Sequence, residues 1–300
     1  MEDSMNKKSS LITTIIFTIM LFVGLLVMLY PIISNWWNSR VQSRAIANYE
    51  MAVNDMDDGE AEAMIAEAVD YNSKIARLES PFTNYEQVAG YYDILDISGT
   101  GIMGYISIPS IQVEIPIYHG TSKSVLNVAA GHLEGSTIPV GGPTTHSVIS
   151  AHRGLPSAKL FTDLDRLVVG DIFTINVLGE VYTYEVEEIH IVLPHEMDKL
   201  LVVPGEDIVT LMTCTPYAVN THRLLLRSHR IDTKYVSDAK VVSDATKVDP
   251  MLVVPILSAP MVLLLILYWV FGGKNKAPHE TLRYMVYSTE YKSLDEEDDE

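Results

Sequence analysis

Two long apolar segments near the ends of the chain dominate its hydrophobic pattern. Residues 11–33 and 251–271 contain no Asp, Glu, Lys or Arg. At about 1.5 Å of rise per residue, each segment is long enough as a helix to cross a hydrocarbon core of about 30 Å. Tyr30, Trp36 and Trp37 lie at the outer end of the first segment, where an aromatic belt is typical of an uncleaved anchor rather than a signal peptide. The pattern therefore predicts two transmembrane helices, 11–33 and 251–271.

Lysine pairs flank the two apolar segments. Lys7 and Lys8 precede the first segment, and two further lysines follow the second. The positive-inside rule then places both termini in the cytoplasm. We therefore expect a two-span protein of the cell membrane, with a cytoplasmic N-terminus over 1–10, an extracellular region between the spans, and a solvated, acidic cytoplasmic tail over 272–300.

The segment 34–78 has the pattern of a helical extension. It is rich in Ala, Glu and Met, contains no Pro, and is interrupted near residues 55–59. After the interruption, its apolar residues recur at helical spacing: Ala61, Met64, Ile65, Ala68, Ile75 and Leu78. Pro81 ends this pattern, and residues 79–93 are predicted to form a loop.

From Gly104 onward the pattern changes to short β-type runs. Turns rich in Pro, Gly and Asn separate them, and Leu178-Gly179-Glu180 is a hairpin signal. The predicted strands are 105–108, 112–118, 147–150, 172–178, 181–193, 208–212 and 224–226, with helical turns at 122–128 and 158–167. Seven or eight short strands with few helices between them predict a mainly β fold. We expect a closed or nearly closed barrel over 94–235, followed by a linker over 236–250.

Composition narrows the possible functions. Hydrophobic residues make up 48% of the 300 residues and the mean hydropathy is +0.16, which argues against a wholly soluble protein. The 21 basic and 39 acidic side chains give a formal charge of −18, which excludes nucleic acid as a partner. A single Cys excludes an internal disulfide or a cysteine-rich zinc site. Any chemistry of Cys214 is therefore that of a lone thiol.

Three side chains at predicted strand ends are candidates for catalysis. Cys214 ends a strand that Pro216 stops, although a small core hydrophobe is the ordinary alternative. A nucleophilic Cys needs a neighbour that favours the thiolate, and His152 lies at another strand end. Arg223 follows a turn that returns the chain beside the cysteine strand, and its guanidinium suits either an oxyanion or an ordinary salt bridge. A metal site built from Cys214, His222 and another His is a weaker alternative, because the chain has neither a Cys-x-x-Cys motif nor a convincing His pair.

The residues around the cysteine form a longer motif. The sequence Thr210-Leu-Met-Thr-Cys-Thr-Pro-Tyr-Ala-Val-Asn-Thr-His-Arg-Leu224 resembles the active-site strand, loop and strand of the class C, pilus-assembling sortases. His152, 62 residues before the cysteine, fits the same family, as does the Gly-His-Leu-Glu-Gly-Ser-Thr-Ile-Pro-Val-Gly-Gly segment at 131–142. The similarity extends over about residues 75–235, together with the two-anchor layout outside them.

The resemblance implies an eight-stranded closed sortase-type β-barrel and a cysteine transpeptidase, a cysteine protease-like enzyme, that cleaves LPxTG-like sorting signals. By this resemblance, Cys214 would attack the Thr carbonyl, His152 would protonate the leaving amine, and Arg223 would hold the substrate and stabilise the oxyanion. Thr213 and Thr215, on either side of the nucleophile, are candidate supporting donors. No cofactor and no metal is implied, because exchanging an amide for a thioester keeps the acyl group activated. The acceptor is typically a Lys amine of a pilin subunit, so the implied product is an isopeptide-linked pilus of a Gram-positive cell envelope.

The sequence departs from the family at the lid. Class C sortases usually carry an Asp-Pro-aromatic triplet over the cysteine, and the corresponding residues here are Ser80, Pro81 and Phe82. Phe82 keeps the ring that would cover the thiol, whereas Ser80 lacks the carboxylate of the usual Asp and Glu79 comes one residue early. We therefore expect a looser lid with a more accessible Cys214. The alternative is that Pro81 and Phe82 merely end the helix.

Two other functions remain open from the sequence. A housekeeping-type sortase would attach surface proteins to the amine of a cell-wall precursor, but that type usually has a single N-terminal anchor. A catalytically idle scaffold on the membrane is the alternative from another class. Replacing Cys214 by Ala separates a scaffold from either type of transpeptidase. A transpeptidase loses its covalent adduct, whereas a scaffold keeps its function.

Overall fold

The computed structural model describes residues 2–233, which contain four α-helices and eight β-strands. Helices α1–α4 are Glu2–Asn54, Asp58–Ile75, Pro81–Asn84 and Lys123–Leu126. Strands β1–β8 are Ile102–Ile108, Val113–His119, Ala130–His132, Thr145–Ser150, Ile172–Val177, Glu180–Val192, Asp207–Thr215 and His222–Ile231. The predicted linker, second transmembrane helix and acidic tail lie outside the described residues.

Helix α1 begins at Glu2, within the predicted N-terminal segment 1–10, and continues through the first predicted span into the helical extension. Large apolar side chains in its N-terminal half are exposed, each by more than 60%: Phe17, Met20, Leu26 and Val27. Within residues 2–233, α1 is the one helix long and apolar enough to cross a membrane, and none of its most apolar window is buried. Exposed apolar surfaces of this extent mark contacts with lipid or with a protein partner.

The predicted interruption near residues 55–59 is confirmed as the break between α1 and α2. Asp57 caps α2 by accepting a hydrogen bond from the Gly59 N–H (3.3 Å). The buried Asn72 then ties α2 to the barrel, because its side chain donates to Ile138 O (2.9 Å) and accepts from Ile138 N–H (2.6 Å). A buried amide with both partners satisfied fixes where the helix rests on the barrel.

The strands form a closed barrel in the order β1-β2-β3-β4-β7-β8-β6-β5, which confirms the predicted barrel. Closure removes the exposed sheet edge that an open sheet would leave. The strand β3 was missing from the prediction, because its three residues are too short to show an alternating pattern. The helical turn expected over 158–167 is limited to a 3-10 turn at Leu164–Arg166.

Alternating side chains fill the barrel interior. In β5, Phe173, Ile175 and Val177 are buried while their neighbours are half-exposed. The Phe173 ring stacks on Tyr184 with centroids 5.8 Å apart. The buried Tyr184 hydroxyl donates to Asp207 Oδ1 (3.0 Å), which satisfies its polar end. Each such ring contributes roughly 1.5–3 kcal/mol through burial.

Strand direction separates two ends of the barrel. The ends of β4 and β7 and the start of β8 meet at one end, since β4 and β7 are parallel and β8 is antiparallel to β7. We call this the site end. Strand β6 is antiparallel to β8, and its last residue, Val192, pairs with Arg223 at the start of β8. The β5–β6 turn at Leu178-Gly179 therefore lies at the opposite end, which we call the hairpin end.

Candidate active site

Cys214 and Arg223 are direct partners across strands β7 and β8. Residues opposite one another in an antiparallel pair project their side chains to the same face, with Cβ atoms about 4.5–5.5 Å apart. Both side chains are half-buried, and Cys214 is a free thiol. Arg223 Nη1 donates to the neighbouring His222 O (3.3 Å), and no carboxylate within residues 2–233 forms an ion pair with it. Arg223 therefore projects from the same face of the sheet as the Cys214 thiol, with no carboxylate partner among the described residues.

His152 lies just past the end of β4, on the other side of Cys214 from Arg223. The parallel register of β4 and β7 pairs Ser150 with Met212, and Ala151 N–H continues it by donating to Met212 O (3.2 Å). Continued by two residues, this register places His152 opposite Cys214, and neighbouring strands are about 4.8 Å apart. His152 is half-buried, and burial lowers the pKa of its imidazole below 6.5, because it disfavours the charged form. The three candidate residues therefore come from three adjacent strand ends.

The two threonines beside Cys214 are engaged within the protein. Thr213 is buried, and its hydroxyl donates to Ala151 O (2.8 Å). Thr215 Oγ1 accepts a hydrogen bond from Arg153 Nη1 (3.2 Å). Both hydroxyls thus bind residues next to His152, so they hold the histidine strand end to the cysteine strand. The sequence suggested donors beside the nucleophile but gave no sign of these partners.

Arg153 is a site residue that the sequence analysis did not identify. Its side chain is 9% exposed, and its Nη2 forms an ion pair with Asp165 Oδ2 (2.5 Å). Its guanidinium lies 5.9 Å from the centroid of the Tyr217 ring. Arg153 therefore joins three segments: the end of β4, the 3-10 turn and the β7–β8 loop. The signal available in the sequence was its place directly after His152.

The lid-like triplet lies over the face that carries the candidate nucleophile. Phe82 is half-buried and packs against the cluster of Val148, Leu200 and Leu225, with Leu133, Val192, Met197 and Met212 beside it. Met212 is two residues before Cys214 on β7, so both side chains point to the same face. The helix α3 begins at Pro81, which is buried. The preceding helix α2 already ends at Ile75, so Pro81 begins α3 and does not end α2, and Phe82 covers part of this face.

Gly135 accounts for the close approach of the lid to the barrel. Its φ is +88°, and an added Cβ would lie 2.5 Å from Pro81 O and 2.8 Å from Phe82 Cα. Only glycine fits a position with positive φ and backbone at that distance. Gly135 belongs to the 131–142 segment of the family-like pattern, and the structure gives that segment a physical role beneath the lid.

Within residues 2–233, no carboxylate latch joins the lid to Arg223. Ser80 makes no side-chain cap to α3, and neither Ser80 nor Glu79 bonds to the guanidinium. The lid is held here by apolar packing of Phe82 and the close contact at Gly135.

The alternative metal site would need several ligand side chains close together. Among residues 2–233, no three His, Cys, Asp or Glu side chains are grouped to hold an ion. The His222 ring Nδ1 instead pairs with Thr221 Oγ1 (2.9 Å).

Comparisons of sequence and of structure with known proteins both find sortases. A family model of the sortase domain matches residues 106–231. Sortase A of Streptococcus agalactiae serotype III (strain NEM316) is 31% identical over 142 residues, which are 46% of this chain and 56% of that protein. Sortase A of Bacillus anthracis is 30% identical over 136 residues, 44% of this chain and 61% of that protein. The match thus spans less than two thirds of the length of these curated relatives.

Solved structures align over almost their whole length. Sortase C1 from Streptococcus agalactiae has a TM-score of 0.60 and 49% identity, covering 63% of this chain and 98% of that chain. Sortase C from Streptococcus pneumoniae has a TM-score of 0.58 and 43% identity, covering 63% of this chain and 97% of that chain. A lid mutant of sortase A from Corynebacterium diphtheriae has a TM-score of 0.53 and 39% identity, covering 59% of this chain and 96% of that chain.

Proposed function

This chain belongs to the sortase family, and we propose that it is a membrane-anchored cysteine transpeptidase of the class C, pilus-assembling type. The observation that carries the proposal is the pairing of Cys214 with Arg223 across β7 and β8, with His152 one strand away. This arrangement offers a nucleophile, a proton donor and an oxyanion donor to one carbonyl group.

The proposed reaction has two acyl-transfer steps. The Cys214 thiolate attacks the Thr carbonyl of an LPxTG-like sorting signal, and Arg223 N–H groups bind the oxygen that becomes negative. The Thr–Gly bond breaks, His152 gives its proton to the leaving Gly amine, and a thioester remains on Cys214. An acceptor amine then attacks the thioester, loses its proton to His152, and releases the thiolate. The new amide replaces the one that was cleaved, so the cycle needs no external energy source.

For the acceptor, we propose a Lys amine of a pilin subunit. The Streptococcus pneumoniae relative is described in terms of pilin substrate specificity, and the class C structures align over nearly their full length. The Phe82 lid over the nucleophile face supports the same class. The housekeeping type, which uses a cell-wall precursor amine, is the alternative, and the curated relatives named sortase A favour it.

For the location, we propose an extracellular barrel anchored by two spans, 11–33 and 251–271, with both termini in the cytoplasm. The exposed apolar surface of α1 supports the first anchor. The charge pattern of the sequence supports the second anchor and the orientation.

Mass spectrometry of the purified full chain with an LPxTG-type peptide tests the reaction. We expect an adduct on Cys214 with the mass of the peptide less its Gly-side fragment, and no adduct for Cys214→Ala. Adding a pilin-like protein should convert the adduct to an isopeptide at a Lys. Transfer to a wall-precursor amine but to no Lys would support the housekeeping type, and no adduct at all would support an idle scaffold.

A further inference from the structure

Helix α1 is hydrogen-bonded to the site end of the barrel just beyond its apolar segment. Ser34 Oγ and Asn38 Nδ2 both donate to Ser157 O, at 3.3 and 2.6 Å. Asn35 Oδ1 accepts from Lys159 N–H at 2.7 Å. Three polar side chains within five residues of the helix thus bind the backbone of one loop.

The loop bound by α1 follows directly from the candidate active site. It begins after His152 at the end of β4 and closes on itself, because Phe161 N–H donates back to His152 O (3.1 Å). The contacts at Ser157 and Lys159 lie inside this closed loop. The helix therefore holds the strand end that carries His152, opposite Cys214.

The hairpin end of the barrel binds α1 farther along the helix. Tyr49 OH donates to Met103 O (3.2 Å) and accepts from Leu178 N–H (2.9 Å), and Leu178 belongs to the β5–β6 turn. Tyr49 lies eleven residues after Asn38, which corresponds to about 16 Å of helix. The helix thus runs along the barrel from the site end to the hairpin end.

The apolar part of α1 stops at the level of the site end. Ile33, the last residue of the apolar segment, is 56% exposed and directly precedes the polar contacts. Trp36 and Trp37, in the same helical turn as those contacts, are 54% and 62% exposed. Exposed Trp side chains next to an apolar helix are typical of the headgroup level of a bilayer.

We propose that α1 holds the site end of the barrel against the outer surface of the phospholipid bilayer, with the hairpin end pointing away. Cys214 then lies close to the headgroups, and a polypeptide substrate is processed at that level. The inference rests on the membrane anchor proposed above, but it does not depend on which amine is the acceptor.

Fluorescence quenching measures the orientation in the full chain. Probes are attached at Pro156→Cys, at the site end, and at Glu180→Cys, at the hairpin end, each with Cys214→Ala; both positions are exposed. The chains are placed in vesicles of equal parts phosphatidylglycerol and phosphatidylcholine that contain a headgroup-nitroxide lipid. We expect quenching at residue 156 to be at least about twice that at residue 180, because the two ends differ by about 16 Å along the helix.

Two further measurements separate the possible failures. Equal or stronger quenching at residue 180 would overturn the orientation. If the chain does not float with the vesicles, the membrane anchor fails and the orientation fails with it. Thioester formation by the unlabelled chain is measured separately. If the thioester forms but the quenching contradicts the orientation, only the orientation is wrong and the proposed chemistry is unaffected.

Discussion

Thr213 donates its hydroxyl to the backbone oxygen of Ala151 at 2.8 Å, so the residue before the candidate nucleophile holds the residue before the candidate proton donor. Together with the Ala151 N–H bond to Met212 O, this contact ties β4 and β7 beyond their last paired residues. The position of His152 relative to Cys214 therefore depends on a side chain that need not touch the substrate.

We predict that Thr213→Val lowers the rate of thioester formation while the protein stays folded. Valine has the shape of threonine but leaves Ala151 O without its donor, at a cost of about 1–3 kcal/mol. Thr213→Ser restores the hydroxyl and should restore most of the rate. The measurements are single-turnover acylation of Cys214 and its dependence on pH, which a purely structural role would leave unchanged. Equal acylation rates in all three proteins would contradict the positioning role.

Arg223→Lys should reduce acylation by about 10²-fold or more, because the fixed fork of donors at the developing oxyanion is lost. Arg227→Lys is a matched control on the same strand and face. Arg227 forms ion pairs with Glu187 (2.8 Å) and Glu206 (2.5 Å), so its guanidinium is bound by carboxylates and not directed at a substrate carbonyl. Partly exposed ion pairs contribute about 0–1 kcal/mol, so this variant should acylate almost normally. Similar losses in both variants would argue against an oxyanion role for Arg223.

Local patterns were enough to predict most of the fold. Alternation and turn residues identified seven of the eight strands, and the residue types at strand ends made Cys214, His152 and Arg223 candidates for catalysis. The strand β3 was too short to be seen. Its neighbours are held by contacts that are distant in sequence, which single-sequence periodicity does not report.

Supporting residues were harder to predict for the same reason. The Arg153 pair with Asp165 joins residues on two different segments, and Gly135 matters only because the lid backbone passes over it. Such roles arise from chain crossings and not from spacing. The glycine-containing 131–142 segment was visible as a family-like pattern, but its physical function required the structure.

The lid predicts a change in thiol reactivity. Phe82→Ala removes the ring that packs over the face of Cys214, so alkylation of the thiol should become faster. Gly135→Ala should have the same effect by a different route, because its Cβ would displace the backbone at Pro81 and Phe82. Gly170→Ala is a matched control, since Gly170 also has a positive φ but nothing lies within 4 Å of its added Cβ. An unchanged rate of Cys214 alkylation in Phe82→Ala would contradict the lid hypothesis.

Ser80→Asp tests the missing latch directly. An Asp at this position restores the carboxylate that the family usually places near the catalytic Arg. If it reaches Arg223, which has no ion-pair partner within residues 2–233, alkylation of Cys214 should slow. The uncharged Ser80→Asn variant separates the effect of charge from that of size. Faster or unchanged alkylation in Ser80→Asp would show that the lid does not close through this pair.

Buried histidines should make the fold sensitive to mild acid. Burial lowers the pKa of His132 to about 3 and that of His146 to about 4. The folded state therefore keeps both rings neutral, while the unfolded chain binds protons below pH 6.5, so the free energy of unfolding should fall as the pH drops from 6.5 towards 4. The slope approaches roughly 1.4 kcal/mol per pH unit for each histidine. Pulse proteolysis of the detergent-solubilised full chain in urea, at about pH 7 and about pH 5.5, measures the change in the free energy of unfolding. Both pH values lie above the range in which most carboxylates titrate. His146→Gln removes one of the titrating groups and should give a shallower slope; a slope equal to that of the unchanged chain would show that His146 is not buried in the neutral form.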